Sequence, residues 1–255
     1  MKYITSDGEI VSINTSLRLY RNLRISNVLE IINNKTLQFD VPIRWNDPFE
    51  KLFYQKDVCC GVRKYYVVCL CFYYDAIQGE ESMWNMHGHP IATLKEDEFV
   101  VRASFNILAL CKSLAKANNE LKFYIAPVDY SKSRVEILKT NQERKKKGYT
   151  AIHEFIEDML LKRKAFSYER EIRLFAVSEQ PFIINADFTH INLKNKTSDI
   201  VSSITLPPNM ASYLHPTPKD YHQELERKGN LLKSYLRDNK YKNKIFISRL
   251  YDILA

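Results

Sequence analysis

The sequence predicts one α+β domain over residues 1–255, with a mixed, mostly antiparallel central sheet flanked by helices. Three observations carry that expectation. Residues 64–74, KYYVVCLCFYY, form an apolar, aromatic run too continuous for a half-exposed strand, so it belongs at the centre of a sheet. Ile152, Phe155, Ile156, Met159 and Leu160 recur at helical spacing and mark a helix face that packs on a core. The chain has 255 residues, 45% of them hydrophobic, with no internal repeat, low-complexity tract or linker-like stretch to divide it.

The elements follow in order. Residues 2–5 and 9–13 flank Ser6-Asp7-Gly8, a tight-turn signal, and read as a hairpin. Residues 17–20 read as a short strand. Ser26 is placed to cap a helix through Asn33, with Val28, Leu29, Ile31 and Ile32 as its apolar side. Residues 37–41 are extended and lead into Trp45-Asn46-Asp47-Pro48-Phe49-Glu50. Asn and Asp bond their own backbone and Pro fixes its φ, so this stretch reads as a rigid turn that displays carboxylates beside rings. Residues 82–87 read as a short helix or loop, and 98–105 alternate like a strand. Asn106 caps a helix through Ala117, and residues 121–128 form a strand. A long helical region covers 133–164, with Gly148 as its natural break. Residues 169–177 are a strand, 182–193 and 200–206 are extended, and Pro207-Pro208 interrupts. A mostly polar helix spans 218–238 and a last short strand begins at Ile245.

Composition narrows the functional classes. Six glycines are few for this length, and there is no Gly-rich phosphate loop, His-Glu-x-x-His, Gly-x-Ser-x-Gly or zinc-finger spacing. Kinase, dehydrogenase and serine-hydrolase readings have no local support. No run approaches the roughly 18 apolar residues of a membrane span, and the N-terminus lacks the apolar core of a signal peptide. Five cysteines without Cys-x-x-Cys spacing fit reduced, mostly buried thiols, and a cytoplasmic protein is expected. The net charge of +8 suggests an acidic partner, nucleic acid first. The one dense run, Arg144-Lys145-Lys146-Lys147, reads as the solvated end of a helix.

Four constellations bear on chemistry. In a strand over 169–177, Glu169, Glu171 and Arg173 point one way while Ile172 and Leu174 point into the core. Two carboxylates on one face can hold ribose hydroxyls and stabilise an oxocarbenium-like centre. The bland alternative is a solvent-facing strand whose charges compensate one another. The Trp45–Glu50 turn is the second constellation, and arginine bridges to Asp47 and Glu50 would order it. The third is Met83-Trp84-Asn85-Met86-His87-Gly88-His89-Pro90. Trp84 has a face for a nucleobase or nicotinamide, while His87 and His89 lack further ligands at metal spacing, so no metal is expected. The fourth is Tyr20-Arg21, an aromatic and a guanidinium ahead of a short helix, suited to an anionic group.

Together these pieces resemble a mostly bacterial family known as domain of unknown function 2971. The matching residues are Leu19-Tyr20-Arg21, Trp45 to Glu50, Cys71-Phe72, Met83-Trp84, and a lysine before Phe166-x-x-Glu169-x-Glu171-x-Arg173, over about residues 17–250. Members commonly continue Met-Trp with Ser-His-Tyr, where this chain has Asn85-Met86-His87, and often carry tryptophan at the position of Phe166. The layout is also similar to that of ADP-ribosyltransferases, a fold-level analogy. That second resemblance implies NAD as substrate, with Glu171 on the ribose and Glu169 as the acceptor-side carboxylate. It puts Tyr20 and Arg21 at the start of the NAD cleft. Trp84 or Phe49 would stack on nicotinamide, and Trp45, Asn46, Asp47, Glu50 and Arg173 complete the set. A nucleic-acid acceptor and a toxin or phage-defence setting would suit the basic surface. The alternative is a non-catalytic module that binds nucleic acid or a nucleotide, its acidic residues serving only to order the turn.

Overall fold

The computed structural model describes residues 3–4, 17–45, 47–54, 65–74, 100–185, 187–206 and 219–247. Most of the expected first hairpin, the segment with Trp84, His87 and His89, Asn46, and Pro207-Pro208 lie outside the described residues.

The described strands form one mixed sheet: β1 (Tyr3–Ile4), β2 (Arg18–Arg24), β3 (Thr36–Asp40), β4 (Tyr66–Tyr74), β5 (Val100–Asn106), β6 (Lys122–Pro127), β7 (Glu171–Ser178), β8 (Phe188–Asn192), β9 (Val201–Leu206) and β10 (Lys244–Ile247). The order is β1-β6-β7-β4-β2-β5-β9-β10, with β3 paired to β4 and β8. Every ladder is antiparallel except β9–β10. The helices are α1 (Ile25–Leu29), α2 (Pro48–Lys51), α3 (Ile107–Ala117), α4 (Arg134–Lys147), α5 (Ile152–Asp158), α6 (Thr197–Ile200) and α7 (Lys219–Asp238). The α+β class and the central position of residues 66–74 match the sequence expectation.

Period-two alternation assigns the sheet two faces. Val68, Leu70 and Phe72 of β4 and Ile172, Leu174 and Ala176 of β7 enter the larger core with Leu110 and Leu114 of α3 and Leu232 and Leu236 of α7. Val67 and Cys69 of β4 and Phe175 and Val177 of β7 point the other way, into a second core closed by Phe53, Tyr149, Phe155, Ile156 and Met159. All eight residues of β7 are buried. The charged face of this strand is therefore inside the molecule, not in solvent.

Several boundaries differ from the sequence reading for local reasons. Ser26 does not cap α1. Its hydroxyl faces Asn27, and the helix starts one residue earlier and runs into a π-turn, Glu30–Asn34. The Trp45–Glu50 turn opens a helix: Pro48 occupies a first-turn position and Asp47 Oδ1 accepts from the Phe49 amide at 2.9 Å. The 133–164 helix is two helices. Ser133 and Glu136 form a capping box at the start of α4, and Gly148, at φ 70°, ends it. The run Lys145-Lys146-Lys147 lies exposed in its last turn, as expected. The strand expected from residue 169 starts at Glu171, because a 3-10 turn, Lys164–Glu169, and Arg170 at φ 45° precede it. Only Phe188–Asn192 of the extended 182–193 segment is a strand.

One position shows how the sheet divides. The edge of β4 away from β7 pairs with β2 at Tyr73 and Tyr74 and with β3 at Cys69. Between them the Cys71 carbonyl lacks a strand partner, and Arg21 supplies one. Its Nη1 donates to that oxygen at 2.9 Å while Nη2 meets Asp40 Oδ2 at 3.2 Å. A buried carbonyl left without a donor costs about 1–3 kcal/mol. Arg21→Leu is expected to lower unfolding free energy by about that amount in urea titration; an unchanged midpoint would remove Arg21 from this role.

Candidate functional site

The N-terminal end of β7 carries the densest group of buried charges. Arg173 is 1% exposed, Glu50 and Glu171 are each 6% exposed and Lys162 is 8% exposed. Four elements deliver them. β7 supplies Glu171 and Arg173 on one face, and α2 brings Glu50. The extended stretch after α5 brings Lys162, fixed where its amide meets the Asp129 carbonyl at 3.1 Å. The 3-10 turn ends on Glu169. Arg170, in the left-handed region, bends the chain between the two glutamates at a cost of order 1–2 kcal/mol. With that bend, both reach one ammonium.

Lys162 Nζ lies 2.5 Å from Glu169 Oε2, 3.0 Å from Glu171 Oε2 and 3.1 Å from Glu50 Oε1. Arg173 Nε donates to Glu171 Oε1 at 2.8 Å, Nη2 to Glu50 Oε2 at 2.7 Å and Nη1 to the Met159 carbonyl at 2.6 Å. The Trp45 ring covers the guanidinium, 4.1 Å from its carbon. Three carboxylates thus share two cations, and each cation bonds more than one of them. A second pair closes the rim: Asp47 Oδ2 accepts from Arg163 Nε at 3.1 Å. The Arg163 guanidinium lies between the rings of Phe49 and Phe166, at 4.8 and 4.9 Å.

The environment divides the glutamates electrically. Burial pushes the Glu171 carboxyl up. The charge of Arg173, then that of Lys162, and the bonds from Arg173 and Cys71 outweigh it and hold it at about 2. Burial also raises Glu169, and the carboxylates of Glu171 and Glu50 add to the rise. Lys162 opposes them, and the net displacement is upward. Burial disfavours the Lys162 ammonium, but Glu171, Glu50 and Glu169 together raise it above the ordinary lysine value. Burial raises the Tyr130 phenol, whose oxygen accepts from the Glu171 amide at 3.1 Å. The hydrogen bond between the Cys71 and Cys69 thiols is the largest of the influences that raise Cys71, with burial next, so that thiol stays protonated.

The residues singled out in the sequence divide between places. Glu50, Glu169, Glu171 and Arg173 meet in the cluster, with Trp45 over it. Asp47 and Phe49 stand at its rim. The two parts of Tyr20-Arg21 separate, as successive strand residues do. Tyr20 stacks on Tyr73 with ring centroids 5.9 Å apart, while Arg21 is committed to Asp40 and Cys71. Asn46 and Trp84 lie outside the described residues. Lys162 is the central member that the sequence reading left out of the site. Its signal was a cation following directly on the core run Phe155 to Leu161, where a helix end alone would be placed in solvent. Arg163 and Phe166 were missed for the same reason.

The fold and site define an α+β sheet protein with a buried carboxylate, lysine and arginine cluster at the end of a central strand. No family model, curated protein or solved structure matches the chain. Among the described residues, no helix is long and apolar enough to cross a membrane, and no three His, Cys, Asp or Glu side chains are grouped to hold a metal.

The cluster has a pH signature. The folded-state value of Glu171 lies below its ordinary 4.5, so the stability it contributes is full above about pH 4.5 and is lost as pH falls towards 2. Glu169 runs the other way, since ionising it costs stability. Glu171→Gln strips Arg173 and Lys162 of a shared anion and is expected to cost about 3–5 kcal/mol at pH 7. Glu169→Gln, at the more open edge, is expected to cost less than about 1 kcal/mol. Urea unfolding of both variants at pH 7 and pH 4 checks this, and equal losses at pH 7 would refute the division.

Proposed function

We propose that the protein cleaves the glycosidic bond of a nicotinamide dinucleotide and passes the ribosyl group to water or to an acceptor. The observation that carries this reading is the shared Lys162 ammonium, with Glu171 held at about 2 and Glu169 displaced upward. Carboxylates pushed apart in this way take different acid–base roles. Glu171 stays ionised and supplies fixed negative charge beside the carbon that becomes cationic. Glu169, at the more open edge of the cluster, accepts the proton of the attacking group. The bond from ribose C1 to the nicotinamide nitrogen breaks and its electron pair leaves with nicotinamide. The acceptor oxygen or nitrogen then bonds to C1, and its proton passes to Glu169. Lys162, Arg173 and Glu50 hold the two carboxylates in place.

A second reading has an observation of its own. Residues 132–164 hold ten Lys and Arg against five Asp and Glu, so most of the net +8 of the chain comes from this segment. Two of its arginines meet rings: Arg134 lies 5.0 Å over one face of Phe49, and Arg163 separates Phe49 from Phe166. Stacked guanidinium planes and rings beside exposed cations suit single-stranded nucleic acid. On this reading the chain is a non-catalytic binding module, or the same strip presents a nucleic-acid acceptor to Glu169.

Incubation of the full chain with NAD, with and without oligonucleotides, separates the two. Nicotinamide release is expected from wild type, reduced about 10²–10⁴-fold in Glu169→Gln, with the acidic limb of the pH–rate profile lost in that variant. Equal release from wild type, Glu169→Gln and Glu171→Gln would end the enzymatic reading. Salt-dependent oligonucleotide binding without turnover would leave the binding module.

A further inference from the structure

Strand register places a row of polar side chains across five strands, in line with Glu171. Glu171 pairs with Tyr73, Tyr73 with Tyr20, Tyr20 with Ser104, and Ser104 with Ser203. Directly paired residues share a face of the sheet. A second row lies alongside, in which Asn22 pairs with Arg102 and Arg102 with Thr205. Side-chain contacts tie the rows together. The Tyr73 hydroxyl donates to Asn22 Oδ1 at 2.7 Å, Tyr20 stacks on Tyr73, and the Arg102 guanidinium lies 5.5 Å over the Tyr20 ring. Ser202 donates to Ser104 Oγ at 3.1 Å.

This face changes character along the sheet. On β4 and β7 it continues from Glu171 into Phe175, Val177, Val67 and Cys69, under the second core. On β2, β5 and β9 the same face bears hydroxyls, amides, a phenol and three guanidiniums, Arg102 in mid-sheet and Arg18 and Arg24 exposed at the ends of β2. The opposite face of those strands is apolar at Leu19, Leu23, Val101, Ala103, Phe105 and Ile204, with Arg21 its charged member. A face washed by solvent would carry fully exposed charged side chains along the middle of its strands as well as at their ends. Here Ser104 and Tyr73 are buried and Tyr20, Asn22, Arg102, Ser203 and Thr205 are half-buried. Among the described residues, Ser203 and Thr205 make no side-chain hydrogen bond. At about 4.8 Å between strands, the row from Glu171 to Ser203 is about 19 Å long.

We propose that these two rows are the floor of a binding groove for an extended, anionic sugar nucleotide. A carboxylate at one end matches sugar hydroxyls, Arg102 matches a phosphate about three strands away, and Ser104, Ser203 and Thr205 supply further donors. This rests on the glycosyl-transfer reading for the identity of the ligand and extends it to residues distant from the chemistry.

The test is titration calorimetry of the full chain with ADP-ribose, which has no nicotinamide to lose. Wild type is expected to bind. Arg102→Gln is expected to weaken binding at least 10-fold, and Thr205→Val about 3–10-fold. Ser203→Trp fills the groove and is expected to abolish binding while the thermal midpoint stays near that of wild type. Should Arg102→Gln fail to fold, the Ser203 and Thr205 variants decide alone. Absence of wild-type binding at millimolar ADP-ribose overturns the groove, as does unchanged affinity in folded Ser203→Trp. Binding without nicotinamide release would keep the groove and remove the chemistry. Release that survives in the Ser203 and Thr205 variants with unchanged KM would remove the groove and keep the chemistry.

Discussion

The burial of Arg173 is the constraint around which this site is arranged. A guanidinium cannot lose its proton to escape a low-dielectric interior, so a chain that buries it must bring anions to it. Glu171 answers from the same strand and Glu50 from α2, more than a hundred residues earlier. Two acids beside one cation leave excess negative charge, and Lys162 meets it. Lys162 in turn draws Glu169, the most open member. Each step follows from the one before, and the group ends one charge short of neutrality, with three carboxylates on two cations. Burial first, and then that excess of negative charge, gives Glu169 its raised affinity for a proton.

The same group links remote parts of the chain. α2 is only four residues long, too short to be stable by itself. Asp47 caps it and is gripped by Arg163, and Glu50 is gripped by Arg173 and Lys162. The stretch after α5 is held by the Lys162 amide on Asp129 and by the Arg173 bond to the Met159 carbonyl. An all-apolar substitute of equal volume would often be as stable as such a buried network. Stability alone therefore does not account for five charged residues at this place.

The fold was legible where a pattern is local. The aromatic run at 66–74 gave the central strand, Asn106 gave a capped helix, and Gly148 gave the break in 133–164. Glu171 and Arg173 were legible as sharing a face, because alternation is a property of any strand. Whether that face lay in water or in protein was not legible, since it depends on α2 and α5 packing over it. Lys162 was hidden for the same reason: a lysine after a helix is usually solvated, and only the tertiary structure gives it three carboxylates. Arg170 held a further ambiguity. A straight strand through residues 169–171 accounts for the sequence equally well, and the left-handed bend that lets Glu169 and Glu171 reach one ammonium appears only in three dimensions.

The opposite displacement of the two glutamates follows from depth more than from sequence position. Both neighbour Lys162, yet Glu171 also has Arg173 on its other oxygen and Glu169 does not. A second cation outweighs the burial of Glu171, whereas the shared ammonium alone does not outweigh that of Glu169. One substitution can therefore erase the difference between them. With Arg173 replaced by methionine, Glu171 would keep its burial and lose its strongest counter-charge, and its carboxyl would rise. The two unlike glutamates would then become two raised carboxylates competing for Lys162. The arginine is thus what makes two similar side chains chemically unlike.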